Sequence, residues 1–266
     1  MAADLARSLE IVTQTDAGRM RPHNEDAVFG DAGAGLALLA DGMGGYNAGE
    51  VASGLAAMML RTALPKALAP GDGRDADISP GDALNAEIGK INGAILRAAE
   101  SQPRYAGMGT TLVVGVFRDG RLLMGHVGDS RGYRLRGGRL AQITHDHSLL
   151  QEQIDSGLIT AEQAAFSANK NLVTRAVGVE DTVLLETHLH DVLPGDTYLL
   201  CSDGLSDMLD DESIAQLLQS SDALTEVAAA LVDAANDAGG KDNISVVLAR
   251  VRGPAGPARS WWPFRR

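Results

Sequence analysis

One cysteine, four phenylalanines, four tyrosines and two tryptophans are all that 266 residues hold of thiol and aromatic side chains. A lone cysteine, Cys201, can form no internal disulfide and excludes a zinc centre built on thiolates. It follows Tyr198, Leu199 and Leu200 in a strand-like run, so it reads as a small buried hydrophobe. With aromatics at 4%, the core must be filled by Leu, Ala, Val and Ile. Positive charge is also short. The 23 Lys and Arg stand against 35 Asp and Glu, and a net charge of −12 argues against a general nucleic-acid binder, which would need a basic face. No run approaches the ~18 apolar residues of a membrane span. The first residues, MAADLARSLEIVTQ, lack the apolar stretch of a secretory signal, so the expected setting is the cytoplasm.

What is present is ordinary for a globular protein: 45% hydrophobic and 22% charged residues, with 31 glycines that imply many tight turns. The length suits one large domain or two small ones. Apolar patterning predicts strands at LEIVTQT, DAVFGD and GLALLAD. An Ala-rich helix follows from Asn47, its candidate N-cap, and then a Gly- and Pro-rich loop spans 69–82. A second helix, from about Asp82 to Gln102, places Leu84, Ile88, Ile91 and Ile95 on one face. The stretch TTLVVGVFRDGRLLMGHVGDSRGYRLRGGRLAQIT reads as four strands joined at Asp119-Gly120, Gly128-Asp129 and Gly137-Gly138, an antiparallel meander. Residues 145–180 turn polar, with short helical pieces. Strands return in LLETHLHDVL, TYLLCSD and NISVVLARV, with helices near 211–219 and 223–238 between the last two. A doubly wound fold needs strand–helix alternation throughout, which the meander breaks. The pattern predicts an α+β fold: two packed antiparallel sheets with helices outside. One domain is expected over residues 1–252. The tail 253–266 carries both tryptophans and no acids, and reads as a flexible terminus or as a contact for an anionic membrane surface or a partner.

Carboxylates recur where the predicted strands end. ALLADG ends in Asp41, LLCSDG in Asp203 and LLMGHVGDS in Asp129; Asp242 precedes the last strand, and Glu25 and Asp26 open the second. Each alone is a turn residue. Together they carry more, because in antiparallel neighbours the end of one strand lies beside the start of the next. Carboxylates gathered at one end of a sandwich repel one another and raise their own pKa values, a conflict that bound cations relieve. All-oxygen ligation favours hard ions, Mg2+ or Mn2+, and the glycines after Asp41 would let a backbone carbonyl approach an ion as well. Arg21, four residues before Glu25, offers a fork suited to phosphate, or else a surface salt bridge. Metals and Arg without a nucleophile triad point to hydrolysis by metal-activated water, two ions ~3.5–4 Å apart sharing a hydroxide.

The segments RPHNEDAV, LLADGMGGYNAGEVAS, GMGTTLVV, GHVGDSRGYRL, THDHSLL, LVTRAVG, LLCSDGLSDML and GGKDNISVVL stand in this order between Leu9 and Val251. The series resembles the metal-dependent protein phosphatases of the 2C type, in their bacterial serine/threonine branch. That resemblance implies an α-β-β-α sandwich with a flap at about 145–175 beside the site. It implies that Asp41 bridges two Mn2+ or Mg2+ ions, with the Gly42 carbonyl on one and Asp203 and Asp242 on the other. Glu25 and Asp26 would act near the ions, partly through water, and Asp129 with Asp203 would hold a third, weaker ion. Arg21 matches the phosphate-binding arginine, and Asn243 would support the ligands from behind. The implied substrates are phosphoserine and phosphothreonine in proteins, with a cognate Ser/Thr kinase as partner, no nucleic acid, and a monomeric chain. The alternative is a catalytically silent member that binds phosphoproteins, but Asp41, Asp203 and Asp242 are all kept. One departure from animal-type members is Met43, which stands where they often carry a histidine proposed as general acid. The leaving-group proton must then come from water or another residue, with His23 a candidate by its proximity to Arg21. The remaining histidines read as bland: His145 and His147 at a turn entering the flap, His188 and His190 facing solvent, and His126 as packing.

Overall fold

The computed structural model describes residues 8–45, 48–69, 79–164 and 172–252. Asn47, the tail 253–266 and part of the flap segment lie outside the described residues. The chain opens with β1 (Leu9–Asp16), β2 (Asp26–Asp31) and β3 (Leu36–Met43), followed by α1 (Ala48–Ala67) and α2 (Pro80–Ser101). Next come β4 (Gly109–Thr110), β5 (Leu112–Arg118), β6 (Arg121–Val127), β7 (Arg131–Arg136) and β8 (Arg139–Gln142). The segment expected as a flap contributes α3 (Leu149–Asp155) and α4 (Ala161–Ala164). The last part holds β9 (Glu186–Asp191), β10 (Thr197–Cys201), α5 (Asp203–Ser206), α6 (Asp211–Leu217), α7 (Leu224–Asp237) and β11 (Ile244–Val251).

Two antiparallel sheets result, one in the order β1-β11-β10-β7-β8 and the other β2-β3-β5-β6-β9 with β4 added on β3. Period-two alternation sorts each central strand between two cores. In β3, Leu36, Leu38 and Ala40 join Leu60, Leu64, Leu84, Ile88 and Ile91 of α1 and α2, while Ala37 and Leu39 face the other sheet. In β11, Ile244, Val246 and Leu248 pack with Val227, Leu231 and Ala235 of α7, while Val247 and Ala249 face inward. The layers are therefore α-β-β-α, as the resemblance implies. Helix α2 starts where Ser79 accepts the Asp82 N–H at 3.1 Å and Pro80 fills the first turn. It buries Leu84, Ile88, Ile91 and Ile95, the face the periodicity predicts. Cys201 is buried, and burial pushes its thiol up to about 12, so it is packing.

The expected four-strand meander is corrected at its middle. Asp119-Gly120 and Gly137-Gly138 are hairpin turns with positive φ at both residues, joining β5 to β6 and β7 to β8. Gly128-Asp129 is not a hairpin: β6 belongs to one sheet and β7 to the other, so this step carries the chain across the sandwich. Gly128 sits at φ +103, and a Cβ there would lie 2.7 Å from the Thr111 side chain.

Candidate active site

Antiparallel pairing sets Asp26, the first residue of β2, directly opposite Asp41 in β3. β3 runs on past Asp41 to Met43 by pairing with β4, so Asp41 is a strand residue rather than the turn residue its Asp-Gly step suggests. Its backbone is locked. The N–H donates to Thr111 Oγ1 at 3.1 Å, and the carbonyl accepts from the Thr111 N–H (2.9 Å) and the Thr110 hydroxyl (2.8 Å). Gly42 donates to the Glu25 carbonyl at 3.1 Å. A Cβ on Gly42 would lie 2.1 Å from Gly49 O and 2.6 Å from Glu25 O, so only glycine lets these three backbones meet.

The other sheet brings Asp203 at the first position of α5 and Asp242 just before β11. Ser202 binds the sheets together: its hydroxyl donates to Asp26 Oδ2 at 2.9 Å and accepts the Ser245 N–H at 3.0 Å. Arg21 donates from Nη2 to Asp242 Oδ2 at 2.6 Å. Asn243 anchors the loop that carries Arg21 and Glu25. Its Oδ1 accepts the Glu25 N–H at 2.8 Å, and its Nδ2 donates to the carbonyls of Ala17 (3.0 Å) and His23 (2.8 Å). Asp129, buried, enters from the crossing after β6. Met43 is half-buried and His23 exposed.

These acids hold each other's protons. Burial, then the charges of Asp26, Asp203, Asp129 and Asp242, raise Asp41 well above the usual carboxylate range. Burial, then Asp129 and Asp242, do the same to Asp203. Asp26 is pushed up to about 6 by burial against hydrogen bonds from Ser245 and Ser202, and Asp129 to about 6 by burial and then Asp146. Glu25 is raised, burial leading. Asp26 Oδ1 is buried with no hydrogen-bond partner. A dense set of oxygen donors, mutual repulsion and an orphaned carboxylate oxygen are the conditions a hard divalent cation satisfies, so the residues fit Mg2+ or Mn2+. The sequence reading missed Asp207 and Asp146, whose charges reach Asp203 and Asp129. Asp207 was findable, since its place four residues after Asp203 puts both on one side of a helical turn.

A second gathering lies close by. His126, His147 and Glu186 each offer a ligand atom within 4.8 Å of the others. The rings of His126 and His147 are stacked, 4.7 Å apart and 11° from parallel. Imidazole lone pairs lie in the ring plane, so parallel stacked rings do not converge on one ion. Tautomers oppose a metal too. His147 Nδ1 accepts the Gly128 N–H at 3.1 Å, which puts its proton on Nε2, facing Glu186 Oε2 at 3.2 Å. The Arg175 guanidinium lies 3.4 Å from the same nitrogen. Burial holds both histidines below their ordinary pKa and neutral at pH 7. This group is a hydrogen-bonded joint. His145 turns away to Asp155 (2.7 Å), His188 is exposed and donates to Glu186 Oε1 (2.7 Å), and His190 is half-buried rather than fully in solvent.

Comparison with known proteins gives these features a family. The model of the family described as Protein phosphatase 2C matches residues 18–249. The serine/threonine phosphatase stp of Listeria welshimeri is 40% identical over 238 residues, 88% of this chain and 93% of that protein. The serine/threonine protein phosphatase PstP of Mycobacterium tuberculosis is 42% identical over 249 residues, 91% of this chain and 45% of that longer protein. The solved catalytic domain of a PstP in complex with two manganese ions superposes with a TM-score of 0.81 at 40% identity, covering 92% of this chain and 99% of that one. A match over residues 18–249, laid on two sheets that bring their carboxylates to one end, fixes the kinship: this chain belongs to the protein phosphatase 2C family, in its bacterial branch.

Proposed function

We propose that the chain hydrolyses phosphoserine and phosphothreonine in proteins, using two Mn2+ or Mg2+ ions held at Asp41. The convergence of carboxylates from both sheets on Asp41 carries this reading. The manganese-bound PstP catalytic domain supports it as a relative of the same fold. Asp41 with the Gly42 carbonyl would hold one ion, and Asp41, Asp203 and Asp242 the other. Glu25 and Asp26 would orient coordinated water, and Asp129 with Asp203 would hold a weaker third ion. When bound, such ions would lower the pKa of coordinated water and so supply a nucleophile near neutral pH.

The chain's own groups do the rest. Arg21, aimed into the site from its contact with Asp242, grips the phosphate oxygens and fixes the ester for in-line attack. Thr111 and Asn243 keep Asp41 and the Arg21 loop in register. Met43 carries no proton to give, so the departing serine or threonine oxygen takes its proton from water or from His23 on the Arg21 loop. The natural substrates are proteins phosphorylated by a Ser/Thr kinase.

The test is hydrolysis of an aryl phosphate and of phosphoserine and phosphothreonine peptides, with and without Mn2+. Mn2+-dependent turnover that disappears in Asp203→Asn is the expected result. Absence of turnover with bound Mn2+ would instead mark a silent phosphoprotein binder.

A further inference from the structure

We propose that His147 is a positioning residue that fixes the Gly128-Asp129 crossing and so ties the root of the flap to the carboxylate cluster. The inference rests on the reading of Asp129 as a cation-holding carboxylate. Both backbone polar groups of Gly128 are taken by this one residue. The Gly128 carbonyl accepts the His147 N–H at 2.9 Å, and the Gly128 N–H donates to His147 Nδ1 at 3.1 Å. On its far side Gly128 is pressed against Thr111, where a Cβ would come within 2.7 Å. The crossing is thus clamped between two side chains, and Asp129 follows immediately.

The clamp continues to the centre of the site. Ser130 Oγ and Thr111 Oγ1 share a hydrogen bond at 2.7 Å, and Thr111 bonds the Asp41 backbone in both directions. In the other direction, the His147 carbonyl accepts the Thr174 N–H at 2.9 Å, and Ser148 pairs with Val173. Both ends of the flap therefore meet at His147. Its neighbour Asp146 is held by Arg131 through Nε (2.9 and 3.1 Å) and Nη2 (2.7 Å), which pins the root to β7. The ring itself has no freedom: it is 4% exposed, stacked on His126, and donates to Glu186. His126 is fixed in turn by its Nε2–H contact with the His145 carbonyl at 2.7 Å. An imidazole held by a carboxylate on Nε2 presents its Nδ1 lone pair in one direction, at the Gly128 amide. A ligand-bearing turn oriented this way loses cation affinity when its support is removed.

Three variants separate this role from simple packing. The Oδ1 of His147→Asn stands near the place of Nδ1 and keeps an acceptor for Gly128. His147→Gln reaches toward Glu186 and keeps that donor only, and His147→Ala keeps neither. Four quantities are read: amide exchange at Gly128 without metal, calorimetric Mn2+ binding, kinetics on an aryl phosphate, and melting temperature. The expected result is faster Gly128 exchange in the Ala and Gln variants. With it come about tenfold weaker Mn2+ binding at the weakest site and about tenfold lower kcat at limiting Mn2+, with KM within about twofold and the Asn variant near wild type. Mn2+ binding that is unchanged in His147→Ala and His147→Gln overturns the proposal. So do losses in the Asn and Gln variants that are equal and follow melting temperature. Should His147→Ala fail to fold, the Asn–Gln contrast decides alone. If the wild type binds Mn2+ without turnover, the enzymatic reading fails while exchange and calorimetry still judge His147; if it binds no Mn2+, both fail.

Discussion

Two clusters of potential metal ligands sit within a few residues of each other, and they differ in what their protons do. Around Asp41, burial and like charge push every shifted carboxylate upward, and Asp26 keeps an oxygen with no donor. Around Glu186, burial also raises the carboxylate, but hydrogen bonds from His188 and His147 outweigh it and hold the group down at about 2. The first cluster is charged and unsatisfied by the protein alone; the second is paired except at the neutral His126 Nδ1, which is buried without a partner, and backbone groups assign the tautomers of His126 and His147. Residue types do not separate the two, since histidine and glutamate are good ligands. The unmet electrostatic demand separates them.

The sharpest way to test the comparison is to remove a demand. Asp203→Asn takes one charge from the cluster and one ligand from the proposed ions. Turnover should fall by about 100-fold or more, because a metal site supplies several kcal/mol of charge stabilisation. The metal-free variant should melt no lower than the wild type, since a repulsion has been relieved. Steady-state kinetics and metal-free calorimetry check both; a variant that loses stability without losing Mn2+ activation would show that Asp203 is structural. Arg21→Ala should act less strongly, raising KM for phosphate esters about tenfold, the loss of a charge-assisted phosphate contact. Its melting temperature should stay near wild type, because an ion pair as exposed as Arg21–Asp242 contributes about 0–1 kcal/mol.

The difference between the clusters also fixes what could be read ahead of the structure. The buried face of α2 follows from local periodicity and the apolar run of β3 marks a buried strand, so both were legible; which side chains of β3 and β11 face which core was not, because the runs are apolar on both faces. The strand-end acids were legible as a set because antiparallel neighbours bring strand starts beside strand ends. The crossing at Gly128-Asp129 was not. A Gly-Asp step looks the same locally whether the chain turns back or changes sheet, and its conformation is set by Thr111 and His147, both remote in sequence. The histidine joint was illegible for the same reason, its members coming from β6, the segment just before α3, and β9.

Protonation distinguishes the clusters by sign. Asp26 and Asp129 have folded pKa values of about 6, above the ordinary 3.8, so the folded metal-free protein binds more protons than the unfolded chain between those values. Their contribution to stability is complete below about 4 and lost as pH rises through about 6. Mn2+ must displace those protons, so proton release on binding should be greatest below about pH 6 and fall as pH rises through it, while affinity weakens below about 6, measurable by calorimetry in buffers of different ionisation heat. Proton release that does not vary between pH 5 and 8 would mean that the ions bind elsewhere.

The smallest effect is expected from Glu186→Gln, and it tests the other half of the comparison. Glu186 is depressed from 4.5 to about 2, so its contribution is present above 4.5 and lost as pH falls through about 2. The amide cannot titrate, and the variant should lack that acid-side loss while remaining slightly less stable at pH 7. One amide oxygen replaces a carboxylate that served two histidines, but the His147–Gly128 contact does not involve Glu186 directly. Mn2+ stoichiometry should therefore stay at the wild-type value, with turnover within about twofold. Loss of one equivalent of Mn2+ in this variant would make the histidine group an ion site after all, and the stacked geometry of His126 and His147 would then have to open to admit it.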